Sequence, residues 1–155
     1  MATVFDVAKY ILEKTGEITS MKLQKLVYYS QAWSLVWDEE PIFSEKIEAW
    51  SNGPVVRLLY EAHRGAFKVN AAALTAGDIS ALTPKQIETI DAVFSYYGDK
   101  PAQWLSDLTH MEDPWINARE RAGLSNGDRG WTEITIADMY EYYSGLLPND
   151  EQQQG

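Results

Sequence analysis

No cysteine occurs among the 155 residues, which excludes disulfide frameworks and thiolate metal sites and gives no sign of an oxidising compartment. Histidine is nearly as scarce, with two in the chain, so a metal centre would have to be built almost wholly from carboxylates. Long apolar runs are missing as well: no stretch approaches about 18 consecutive hydrophobic residues, and the first residues enter an amphipathic pattern without a basic and then apolar leader. The expectation is a cytoplasmic protein with no membrane contact. Positive charge is the fourth shortage. Thirteen Lys and Arg stand against 23 Asp and Glu, a formal net charge of -10, which repels phosphate backbones and makes nucleic acid a poor partner and a basic protein a better one. The same surplus also keeps a domain soluble.

Aromatic residues are abundant, with six Trp and nine Tyr, and these residues serve both cores and interface hot spots. The length suits one domain with one core. Residues 4–14 place Val4, Phe5, Ala8, Ile11 and Leu12 on one helical stripe, with Thr3 as cap, Asp6 three residues on and Gly16 beyond the end. Residues 20–37 are apolar nearly all round, from Leu23, Leu26 and Val27 to Trp33 and Trp37, which predicts a central helix covered on several sides. Pro41 ends it. The alternation of residues 42–50 predicts a minor extended element, a strand or hairpin arm. Asn52-Gly53-Pro54 reads as a turn, with Pro54 at the first position of a helix that carries Val55, Leu58, Leu59 and Ala62 inward. Residues 66–82 read as a connecting loop. Thr83-Pro84-Lys85-Gln86 opens another helix, closed by Gly98; two short ones follow over 101–109 and 114–122, and Thr135 caps a last helix with Met139, Tyr140, Tyr143, Leu146 and Leu147 inward. The pattern predicts an all-α domain of about seven helices over 1–147, followed by a polar tail at 148–155.

Residue types for catalysis are few. His110 follows Asp107 by three positions, the spacing of a ligand pair on one helix face, but its partner set is thin, and a histidine whose ring nitrogens fix a helix end is the simpler reading. No enzyme activity, metal or cofactor is expected. Lys9, Lys14, Lys22 and Lys25 would form a small basic patch, and the order helix, helix, extended arm, helix is similar to a winged-helix arrangement; acidic neighbours oppose a nucleic-acid role for either. The acidic run Asp38, Glu39, Glu40, Glu45 and Glu48 offers a docking surface for a basic partner, more so if an aromatic side chain stands exposed beside it.

The run MKLQKLVYYSQAW at 21–33 resembles the signature helix of the Panacea domain, also called SocA-like or phage-associated GepA-type. Ile42-Phe43, Ile47-Glu48-Ala49-Trp50, Gly53-Pro54-Val55-Val56 and Tyr60 resemble its second block; Leu105, Leu108-Thr109-His110 and Pro114-Trp115 resemble its third. Arg57 departs from the proline or small residue expected there, and the short polar tail stands in place of an appended domain. The resemblance implies a mostly helical antitoxin of bacteria, phages or prophages that binds a cognate protein toxin directly. One branch of the family is similar to an adaptor that delivers its toxin to a ClpXP-type protease. A DNA-binding regulator or a phage accessory protein is the remaining alternative, and the oligomeric state is left open. Leu23, Leu26, Tyr28, Tyr29, Trp33, Trp50, Gly53, Pro54, His110, Pro114 and Trp115 are then mainly structural. Lys22, Gln24, Lys25 and Gln31 have little evident core use and are expected either to cap neighbouring segments or to touch the partner, with Glu39, Glu40, Glu45 and Glu48 on the partner side. Charge reversal at Glu39, Glu40 and Glu45 is expected to weaken partner binding without lowering the melting temperature, as titration and thermal melts would show.

Overall fold

Three threonines start helices by one device. In α1 (Val4–Thr15) the Asp6 carboxylate accepts the Thr3 backbone N–H at 2.7 Å. Thr83 and Gln86 exchange bonds of 2.9 and 3.1 Å at the start of α4 (Pro84–Tyr97). Thr135 and Asp138 do the same at 3.1 and 3.0 Å at the start of α7 (Ile136–Ser144). Each box satisfies backbone donors that a helix end leaves free. The computed structural model describes residues 1–146; Leu147 and the expected tail at 148–155 lie outside the described residues.

Between these helices lie α2 (Ser20–Trp37), α3 (Arg57–His63), α5 (Ala102–Thr109) and α6 (Asp113–Arg121). The seven helices expected are therefore present among the described residues, and α2 has the bounds read from the sequence. Helix α2 is the hub: it packs against α1, α4, α5 and α7 and buries Leu23, Leu26, Val27, Tyr28, Tyr29, Ala32 and Leu35. An all-round apolar helix needs this enclosure.

Two small antiparallel sheets complete the domain. Strand β1 (Ile18–Thr19) pairs with β4 (Lys68–Val69), and a three-stranded sheet runs in the order β3 (Gly53–Val56), β2 (Ile47–Trp50), β5 (Thr132–Ile134). The extended element expected over 42–50 narrows to 47–50. Pro54 does not open a helix; it pairs with Ala49 in β3, and the helix starts at Arg57. A proline is accommodated because β3 is an edge strand, where the missing N–H breaks no ladder. Leu58 consequently lies exposed and Ala62 with it, while Leu59 is buried. The connector expected over 66–82 contains β4 and two 3-10 turns, Ala71–Ala73 and Ile79–Ala81. In α7, Met139 and Tyr143 face the core as expected, but Tyr140 stays exposed, as does Leu146 just beyond the helix.

Leu26→Ala, at a position 1% exposed in the hub helix, is expected to lower stability by about 2–5 kcal/mol, and Leu58→Ala by under about 0.5 kcal/mol. Urea unfolding of the two variants checks the contrast.

Candidate functional site

The β2–β3 hairpin is held by its carbonyl oxygens. Arg119 Nη1 donates to Ala49 O (2.9 Å), Trp115 Nε1 to Trp50 O (2.7 Å) and Ser106 Oγ to Asn52 O (2.8 Å). His110 Nε2 lies 2.9 Å from Ser51 O while its Nδ1 lies 2.6 Å from Ser106 O. From α2, Lys25 Nζ donates to Pro54 O (3.3 Å), and the Gln24 amide brackets Val56, accepting its N–H at 2.9 Å and donating to its carbonyl at 3.3 Å. The three sequence blocks thus meet at one turn: α2 supplies the first, the hairpin the second, α5 and α6 the third. His110 pins the end of α5 to the hairpin through backbone carbonyls.

Gly53 is needed at this turn twice over. Its φ of 119° lies where side chains are disfavoured, and a Cβ there would stand 2.6 Å from Lys25 Cε. Pro54, Trp115 and Pro114 are buried, and Trp50 is half-buried.

Gln24, Lys25 and Gln31 are 3%, 1% and 2% exposed. Little core use was the expectation, and it does not hold: of its two alternatives the hydrogen bonds describe capping. Gln31 Oε1 accepts the N–H groups of Ile42 (2.8 Å) and Phe43 (3.3 Å), and its amide donates to Phe43 O (2.8 Å). Polar side chains are stable inside when they complete backbone groups that no strand or helix serves. Lys22 is half-buried at the start of α2, where its backbone N–H donates to Thr19 Oγ1. The four lysines do not form one basic face, since Lys25 is internal and Lys14 pairs with Asp91 at 3.1 Å. Burial pushes the Lys25 ammonium down from 10.5 to about 8. His63, whose Nε2 meets the Gln24 amide at 3.0 Å, is likewise lowered by burial, so its ring nitrogen accepts.

The acidic run divides. Glu45 accepts the Val4 N–H at 3.1 Å and so caps α1. Glu48 accepts from Trp50 Nε1 (2.8 Å) and pairs with Arg57 (2.9 Å), whose guanidinium lies 5.4 Å from the Trp50 ring and 5.8 Å from that of Trp131. Glu39 and Glu40 remain exposed at the tip that follows α2, and Asp38 ties this tip to α4 by accepting from Thr89 Oγ1 at 2.6 Å. Next to the tip stands Trp37, 45% exposed, although its place in the α2 pattern read as inward. It stacks on Trp33 at 5.1 Å and forms, with Tyr96, Tyr97 and Met111, the wall of a groove of about 640 Å³. Tyr96 and Met111 are 64% and 68% exposed. Trp33 is fixed by donating to Tyr97 OH at 3.0 Å, and Tyr97 stacks on Tyr29 at 4.1 Å. Apolar periodicity could not single out this groove, because α2 is apolar on every side and nothing in its pattern marks the side left open.

At the groove floor Glu112 is buried. It accepts from Tyr29 OH (2.8 Å) and Tyr143 OH (2.6 Å), and Tyr28 OH meets Tyr143 OH at 3.0 Å. Desolvation raises the Glu112 carboxyl from its ordinary range, and raises the buried tyrosines. Among the described residues, no group of three or more His, Asp or Glu is placed to hold a metal, and no helix is long and apolar enough to cross a membrane.

Lys25 binds its proton less tightly folded than unfolded, so stability rises as pH climbs from about 8 toward 10.5. Relative to Lys25→Met over that window, the wild type is expected to gain about 2–3 kcal/mol, with the difference flat below pH 8. Paired urea midpoints at pH 7, 8.5 and 10 measure it, and the common tyrosine ionisation cancels between the two proteins.

Comparison with known proteins bears on more than half of the chain. The family model described as antitoxin SocA-like, Panacea domain, matches residues 23–116, a stretch that holds the hairpin and, save Arg119, the side chains that grip it. No curated protein and no solved structure matches the chain.

Proposed function

The chain belongs to the SocA-like antitoxin family with its Panacea domain, and from that membership we propose that it neutralises a cognate protein toxin by direct contact, through the aromatic groove beside the acidic tip of α2. The observation that carries this reading is exposed Trp37, which lines the groove with exposed Tyr96 and Met111 and precedes exposed Glu39 and Glu40 in the chain. Large aromatic residues and methionine are enriched at the centres of protein interfaces, with charge at the rim. The occupant is a basic, amphipathic segment of the toxin, matched to the acidic tip and to a net charge of -10. The residues of the hairpin grip supply the frame, because their polar groups are already spent on backbone partners.

Co-expression with the toxin encoded beside it, scored by growth and then by co-purification at moderate salt, tests the proposal. Growth rescue with a stable complex is expected. The double substitution Glu39→Lys with Glu40→Lys should weaken that complex by at least about tenfold and leave the melting temperature unchanged. Glu45→Lys, by contrast, should lower the melting temperature through loss of the α1 cap. Rescue without a complex would refute neutralisation by contact and favour delivery to a ClpXP-type protease.

A further inference from the structure

The groove floor contains a group that packing alone does not call for. Glu112 is 5% exposed, and both of its hydrogen bonds, from Tyr29 and Tyr143, fall on Oε1. Among the described residues no cation pairs with it. Its second oxygen has no hydrogen-bond partner there, yet the one sealed side-chain polar atom without a partner among the described residues is Arg119 Nε; Glu112 Oε2 is therefore not sealed from solvent, and Glu112 lines the groove. A carboxylate held away from water without a counter-ion is costly, and one left half-bonded beneath aromatic rings has the form of a receptor.

The ring set fits a cation. Trp33, Trp37, Tyr96 and Tyr97 line the same space as Glu112, and the faces of Trp and Tyr attract cations. Trp33 and Tyr97 are locked to each other by their hydrogen bond, so part of the wall is set before any ligand arrives. Arginine suits such a site better than lysine: its guanidinium is planar, stacks on rings, gives up hydration more readily and presents several donors to a carboxylate.

We propose that the groove is a guanidinium receptor, in which an arginine side chain of the toxin enters among the aromatic rings and donates to Glu112 Oε2. The inference rests on the docking reading above and adds the chemistry of its anchor.

The probe is a short peptide blocked at both ends with one central arginine, titrated while the tryptophan indole N–H signals are followed by NMR. Shifts at Trp33 and Trp37, with Trp131 silent, are expected, and the same peptide with neutral citrulline should bind at least about tenfold more weakly. Glu112→Gln keeps an oxygen for the two tyrosines and should abolish the arginine preference; Trp37→Ala, which removes a half-exposed ring stacked on Trp33, should lose the Trp33 response while the protein still unfolds cooperatively with a modestly lower melting temperature, which covers the case of a Glu112 variant that does not fold. Equal binding of arginine and citrulline peptides overturns the receptor. Glu112→Gln is then placed in the toxin complex. A complex that is lost with Glu39→Lys and Glu40→Lys but unaffected by Glu112→Gln, with no probe response, refutes the receptor and leaves the docking surface standing. A Glu112-dependent probe response beside a toxin complex indifferent to all three substitutions overturns the toxin as the source of the arginine.

Discussion

Two cations with no carboxylate partner among the described residues hold one rung of a hairpin, and much else follows from them. Ala49 and Pro54 face each other in β2 and β3; Arg119 donates to the carbonyl of the first and Lys25 to that of the second. Both side chains are 1–2% exposed. An ion so buried is stable only where oriented dipoles replace water. Arg119 also donates to Ser125 and Asp128 carbonyls at 3.0 and 2.6 Å, drawing in the loop before β5. The hairpin is therefore fixed from the α2 side and from the α6 side, and the three-stranded sheet keeps its position against the helices although each strand has four residues or fewer.

This arrangement explains what could be read in the sequence. Helices with both a cap and a stripe were legible, as in the threonine-led starts of α1, α4 and α7, and the bounds of α2 were legible from an apolar run closed by Pro41. Strands β1, β4 and β5 were not, because two or three residues cannot show a period and their pairing is carried by backbone groups that every residue possesses. Pro54 followed by apolar residues matched a helix start; the strand was chosen instead by Lys25 and Thr109 packed against Gly53 and by Gln24 bracketing Val56, which no local pattern contains.

The same limit applies to the site. Gln24, Lys25 and Gln31 are polar residues on a helix, and polarity ordinarily signals solvent; here each one answers a backbone group of a segment distant in sequence. Conversely Trp37 read as core and turned out to be half-open, because an all-round apolar helix keeps no record of which neighbour is missing. Glu39 and Glu40 were legible as an exposed acidic tip, but Glu45 and Glu48, identical in type and close in sequence, serve the Val4 N–H and the Trp50–Arg57 pair. The result is a division of labour within α2: its first half grips the hairpin, and Trp33 and Trp37 near its end line the groove.

The position of Tyr143 has a consequence for the order of assembly. Its hydroxyl bonds Glu112, its ring packs edge-on to Tyr28 and Tyr29, and β5 reaches back from Ile134 to Ile47. A chain emerging from the ribosome carries α2 and the hairpin long before it carries these closing pieces, so its hub helix leaves the tunnel with one flank bare. Such distant pairings slow folding and expose apolar surface meanwhile. The finished groove, including the floor set by Tyr29 and Tyr143, thus waits until Tyr143 has been made: a chain that stops short of it has the gripping residues but not the groove.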